Sequence, residues 1–228
     1  MFGPVQPTRY DLTFTLFGFP VRVIPWFWVT GVIFGFDLLQ DRENGPLLLL
    51  TWLAILFVSI LVHELGHATV ANLFGYPPSI LLYHFGGLAM YTPERGYTAA
   101  RSILISLAGP VFGFILGGLV YFGIRVMRPD ELSYVAQFAI AQLIWVNIAW
   151  GLVNLLPVLP LDGGRISEEV CMAASRYRGV TISRWISIVV AGAVGAWFMM
   201  NGQRYNGFFF VALAVQNYME LQQRNEWQ

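Results

Sequence analysis

His63-Glu64-Leu65-Gly66-His67 places two imidazoles four residues apart with a carboxylate beside the first. On a helix, positions i and i+4 lie one above the other on one face, so both imidazoles can reach a single ion. Zinc suits that donor pair. Glu64 sits beside such an ion without having to bind it, the position of a general base for a water whose pKa zinc lowers to about 7. Five-residue matches of this kind also arise by chance, so the surroundings decide. Here the motif stands in an apolar run, where ionisable groups facing lipid would be costly and usually face inward to serve a function. The competing explanation is purely structural, with the histidines hydrogen-bonded between helices and Glu64 neutralised by burial.

A catalytic zinc takes three protein ligands and keeps one position open, so two histidines are insufficient. A candidate third ligand, Asp162, stands in Asn154-Leu155-Leu156-Pro157-Val158-Leu159-Pro160-Leu161-Asp162-Gly163-Gly164. Two prolines and two glycines free the backbone around this short carboxylate and expose carbonyls and amides that a substrate could pair with. Imidazole and carboxylate ligands favour zinc and also admit iron or cobalt.

These residues need a scaffold, and composition says where it resides. Of 228 residues, 57% are hydrophobic and only 11% charged, against about a quarter charged in soluble domains. The chain is expected to lie in a lipid bilayer as a single domain over residues 1–228, with a core at 21–165. All 13 basic residues are arginine and the net charge is zero, so no basic stripe suited to nucleic acid exists. The lone Cys171 reads as a small buried hydrophobe. Residues 1–20 lack the pattern of a cleaved signal peptide, which leaves targeting to the first membrane helix.

The expected fold class is an all-α polytopic membrane protein of about six transmembrane helices with a small membrane-associated β-sheet or hairpin. Residues 11–23 alternate partly and predict one short strand. Apolar runs predict helices over about 25–39, 46–74, 99–126 and 134–156, with shorter ones over 186–200 and 208–218. Between them, 80–85 and 88–91 flank Gly86-Gly87 and read as a hairpin dipping into the membrane, shielded by protein. Gly109, Gly113 and Gly117 form a small-residue stripe that reads as generic helix packing. With six spans, nine arginines fall on the side of the N-terminus and four opposite, which puts both termini in the cytoplasm. Trp26, Trp28 and Trp227 read as interfacial anchors, and Arg165 as a solvated helix-end residue.

HELGH on one apolar helix and NLLPVLPLDGG at the end of a later one resemble the site-2 protease family of intramembrane zinc metalloproteases. Phe85-Gly86-Gly87 and Ala108-Gly109-Pro110 fit the same family, and the similarity covers roughly residues 21–165. The resemblance implies one zinc ion per chain, bound by His63, His67 and Asp162, with Glu64 as the base and Asn154 assisting at the scissile carbonyl. It also implies a helical membrane core with the metal below the cytoplasmic surface. Neither an insert large enough for a PDZ domain nor an appended CBS pair is expected, so the resemblance is to the compact form. Gating would then come from the core, a regulatory membrane partner or a homo-oligomer.

The expected reaction is peptide-bond hydrolysis in a transmembrane or membrane-associated substrate, whose helix must loosen because its carbonyls are internally bonded. Residues 80–91 could take the loosened strand by edge addition, with His84, Phe85, Gly86 and Gly87 as tentative substrate contacts. For His84 a plain structural hydrogen bond is the other reading. Two rival classes remain: a metal transporter, which would need further polar residues such as Gln142 and Asn147 on other spans, and a catalytically idle binding scaffold, which would be expected to have lost Glu64 or a ligand.

Overall fold

The computed structural model describes residues 6–84, 86–93, 96–126 and 132–225. Phe85, Arg95, Arg128 and Trp227 lie outside them. In order come β1 (Leu12–Leu16), β2 (Phe19–Val23), α1 (Pro25–Phe34), a 3-10 segment (Phe36–Gln40), α2 (Gly45–Leu73), β3 (Pro78–Tyr83), β4 (Gly86–Tyr91), α3 (Ala99–Val126), α4 (Tyr134–Asn154), α5 (Asp162–Ala174), α6 (Gly179–Met200) and α7 (Arg204–Asn225). Their contacts divide the chain into two compact units, Met1–Arg95 with Ala108–Gly151, and Gly96–Leu107 with Leu152–Gln228.

In the first unit a four-stranded sheet runs β1-β2-β3-β4. The single strand expected over 11–23 is in fact a hairpin, because Phe17 (φ 51°) and Gly18 (φ 86°) turn the chain through left-handed backbone. Parallel pairing of β2 with β3, Val21 opposite Ile80, requires a long crossover, and α1 and α2 supply it. Alternation then sends Val21, Val23, Ile80 and Leu82 to one face, where they pack with Phe27, Leu61, Leu65 and Ala68. Each such aliphatic side chain, fully buried, contributes about 1.5–3 kcal/mol. This packing fixes β3 and β4 against α2 near its motif.

The first expected span is not one long helix. Helix α1 has ten residues, a rise of about 15 Å against a hydrocarbon core of about 30 Å. At Gly35 a Cβ would stand 2.5 Å from Trp52 Cδ1 and 2.8 Å from Leu49 Cδ1, and the chain passes there into the 3-10 segment. Four helices among the described residues, α2, α3, α4 and α6, are long and apolar enough to cross a membrane. Only a third of the most apolar window of α2 is buried, so apolar side chains cover its outer faces too, as on a helix surrounded by lipid.

In the second unit, α6 and α7 form a tight antiparallel pair. Gly195 and Gly207 let them meet, since a Cβ at either position would stand 3.1 Å from the other's carbonyl oxygen. Val158 and Leu161 pack with Ala191, Phe210 and Leu213 in the core of this unit. Both helices extend beyond the expected 186–200 and 208–218. Their polar ends are satisfied mutually: Arg184 pairs with Glu220 at 2.6 Å and donates to Asn217 at 2.9 Å. Helix α5 has no counterpart among the expected helices; its polar residues hid it from an apolar-run criterion, while Asp162 in its first turn suits a helix N-terminus. Cys171, expected to be buried, is half-buried on this helix.

Candidate metal centre

Helix α2 carries His63, Glu64 and His67 at its buried end, with the three side chains 6, 5 and 7% exposed. Their potential ligand atoms all lie within 4.8 Å of one another. The imidazoles meet edge to face, ring centroids 4.8 Å apart, with Nε2 to Nε2 at 3.1 Å. Two nitrogens bound at about 2.0–2.1 Å to one tetrahedral ion stand about 3.3 Å apart, so the pair is nearly set for a shared zinc. One turn earlier, Ser59 accepts a 2.9 Å hydrogen bond from Nδ2 of Asn147 on α4, which also donates to the Leu143 carbonyl.

Three glycines make room for this cluster. A Cβ at Gly109 would lie 2.3 Å from Nε2 of His67 and 2.7 Å from Nε2 of His63. At Gly87 it would lie 2.4 Å from Cγ and 2.5 Å from Oε1 of Glu64. At Gly66, inside the motif, it would strike the Ala108 carbonyl oxygen at 2.4 Å. Gly66 therefore lets α3 approach α2, Gly109 clears the imidazole tips, and Gly87 brings β4 against the carboxylate. The small-residue stripe on α3 is thus not uniform. A Cβ at Gly113 or Gly117 would meet Asn147 and Ile148 at 3.2–3.6 Å, as between closely packed helices, whereas one at Gly109 would strike the His63 and His67 imidazoles. Period-four spacing alone could not separate these roles, although adjacency to Pro110 marks Gly109 as different.

His84 occupies the turn between β3 and β4, half-buried, its ring edge to face with Tyr83 at 5.2 Å. Gly86 (φ 127°) opens β4 in a conformation suited to glycine. Phe85 lies outside the described residues. Asp162 and Asn154 belong to the second unit and are 8 and 7% exposed. Asn154 ends α4 and Asp162 begins α5. Between them the chain folds tightly onto the first turn of α5. A Cβ at Gly163 would lie 2.2 Å from the Leu155 carbonyl oxygen, and one at Gly164 2.4 Å from the Leu159 nitrogen. Two glycines after Asp162 are therefore needed for this loop to close. Sequence reasoning had given them flexibility; their use is close approach.

The chain matches the sequence profile of Peptidase family M50 over residues 51–142 and 130–194. A Synechocystis sp. relative is 32% identical over 79% of this chain and 51% of its own length. A zinc metalloprotease of Methanocaldococcus jannaschii is 31% identical over 69% of this chain and 44% of its own length. The chain thus spans about half the length of these curated relatives. Among solved structures, the site-2 protease from M. jannaschii superposes with a TM-score of 0.61 at 22% identity, covering 94% of both chains, a likeness of fold. Both metal-motif histidines, Glu64 and Asp162 fall inside the matched region. With four helices able to cross a bilayer, the chain is an integral membrane protein and belongs to the M50 (site-2 protease) family.

Proposed function

We propose that this chain is a membrane zinc metalloprotease that hydrolyses a peptide bond of a transmembrane or membrane-associated substrate, as in regulated intramembrane proteolysis. The observation that carries the reading is the buried His63, Glu64 and His67 cluster, with glycines at 87 and 109 where any side chain would intrude. His63, His67 and Asp162 would hold one zinc ion. When bound, zinc supplies a Lewis acid that polarises the scissile carbonyl and acidifies a water. Glu64 takes the proton of the attacking water and returns it to the leaving nitrogen. Asn154 donates a hydrogen bond to the oxyanion or the substrate backbone.

The substrate lies along β4, an end strand in the sheet order, whose Gly87 touches Glu64. Edge addition there would bring an unwound segment to the base, with His84, Phe85 and Gly86 contacting it. Crossing by α1 together with the 3-10 segment that follows it, and by α7, would complete six spans, and the arginine distribution then sets both termini in the cytoplasm. A transporter reading is disfavoured because Asn147 spends its amide donors on Ser59 and Leu143, leaving them engaged in helix packing. Lipid and a membrane protein substrate are the partners this reading requires.

The test is a paired measurement on purified protein in detergent: metal content, and cleavage of a transmembrane peptide, for the native chain and Glu64→Gln. Retained zinc with cleavage lowered by about 10²–10⁴ fits loss of a general base. Undiminished cleavage, or a native chain free of metal, refutes the proposal.

A further inference from the structure

Asp162 follows a loop that contains no regular hydrogen-bonded structure of its own, yet a zinc ligand must be held within a few tenths of an ångström. The backbone of Leu159, three residues before it, is gripped from outside the loop on both of its polar groups. The Leu159 N–H donates to Oγ of Ser187 on α6 at 3.1 Å, and the Leu159 carbonyl accepts from Nδ2 of Asn217 on α7 at 2.7 Å. Ser187 and Asn217 are 0 and 1% exposed. The serine hydroxyl also lies 3.4 Å from the Pro157 carbonyl, to which it donates. Asn217 gives its second amide hydrogen to the Leu213 carbonyl at 2.8 Å and accepts from Nη1 of Arg184 at 2.9 Å. Arg184 is in turn paired with Glu220 at 2.6 Å, and Glu220 accepts from Gln216 at 3.1 Å.

We infer that Ser187 and Asn217 are positioning residues for the metal centre: they clamp the Leu159 backbone on both sides of its Cα and thereby fix the loop that presents Asp162. This inference rests on Asp162 being the third ligand. Burying two polar side chains in an apolar helix pair is unfavourable unless each is hydrogen-bonded, and here each has a backbone group of the same residue, Leu159, as a partner. Downstream, the Leu161 N–H donates to the Val158 carbonyl at 2.8 Å, and Gly164 and Arg165 donate back to Leu161 at 3.0 and 3.1 Å. A fixed Leu159 therefore fixes the first turn of α5, where Asp162 begins. The pair α6 and α7 supplies no metal ligand in the proposed set, and its contribution to the chemistry would be through this grip.

The experiment is zinc release to a chelator, and the visible spectrum of the cobalt-loaded protein, for Asn217→Leu, Ser187→Ala, Asp162→Ala and the double variant Asn217→Leu/Asp162→Ala. Gly195→Ala is the control, because it loads the contact between α6 and α7 at Val211 and Gly207 without touching the clamp. Loss of either grip is expected to speed release about tenfold, the effect of one buried hydrogen bond of about 1.4 kcal/mol. It is also expected to shift the cobalt spectrum toward that of Asp162→Ala. Release from the double variant should match that from Asp162→Ala alone, and the control should behave like the native chain. If Asp162→Ala speeds release while Asn217→Leu and Ser187→Ala do not, the clamp is wrong and the ligand assignment stands. Additive effects in the double variant, or equally fast release from Gly195→Ala, also overturn the clamp, by showing general loosening. If Asp162→Ala releases zinc at the native rate, the ligand assignment itself fails and the inference falls with it.

Discussion

Gly109→Ala adds one methyl group facing the two imidazole tips. Its Cβ would stand 2.3 Å from Nε2 of His67 and 2.7 Å from Nε2 of His63, where carbon and nitrogen rest near 3.5 Å. One or both rings must therefore withdraw by about 1 Å, whereas a zinc ligand tolerates about 0.2 Å. The side chains can swing away, so the fold should survive at a cost of about 1–3 kcal/mol for overpacking. Metal binding should not survive so well: even disturbances one layer removed from a metal weaken it about 10–100-fold, and this one acts on the ligands themselves. Gly113→Ala is the matched control, since its Cβ would meet the Asn147 carbonyl oxygen at 3.4 Å and Oδ1 at 3.6 Å, within ordinary contact. Zinc content after dialysis against a graded chelator series, with melting temperature measured in parallel, separates the two effects. Native zinc affinity in Gly109→Ala, or equal loss in Gly113→Ala, would refute the assignment of Gly109 to the metal centre.

Gly87→Ala should keep zinc and slow cleavage, because its Cβ would displace Glu64 from 2.4–2.6 Å contacts without reaching the histidines; a loss of zinc as large as that of Gly109→Ala would contradict this. Around the N-terminal hairpin, the Thr8 hydroxyl and backbone N–H hold the Asp11 carboxyl below its usual range, with Arg22 assisting. A lowered folded-state pKa means the stabilisation is present above about pH 4, the unfolded value, and is lost as pH falls through the folded value. Amide protection in β1 and β2 should drop there, and Asp11→Asn should abolish that pH dependence; identical profiles for both proteins would exclude it. A substrate carrying a leucine run across the cleavage region should be cut more slowly than one with glycine or asparagine there, and equal rates would show that unwinding is not required.

What the sequence disclosed depended on whether the information was local. Two histidines at i and i+4 define a face of one helix whatever surrounds it, so His63, Glu64 and His67 were legible at once. The hairpin at 78–91 was legible because its glycines interrupt two β-prone runs. Helix α5 was missed because polar residues such as Glu168 and Glu169 break the apolar run that betrays a membrane helix; Glu169 is nevertheless buried and accepts a hydrogen bond from the Tyr97 hydroxyl. The role of Gly109 was missed because a glycine is silent about what it makes room for until a neighbouring helix is in place. The ends of α6 and α7 were drawn short because Arg184 and Glu220 look unsuited to such helices when read singly, and only their pairing reconciles them with these positions.

The parallel pairing of β2 with β3 also sets an order of assembly. Val21 and Ile80 are separated by about sixty residues that include all of α2, so closing this contact carries a larger loop entropy than any hairpin in the sheet. During synthesis, the helix bearing His63, Glu64 and His67 is complete before β3 and β4 have emerged. The glycine strand that abuts Glu64 is the last strand of the sheet to emerge, attached to the slowest pairing in that sheet. Until then the base has its helix but no adjoining strand along which a substrate could be registered, so the nascent chain would acquire His63 and His67 before it acquired a working cleft, and Asp162 only after the strand.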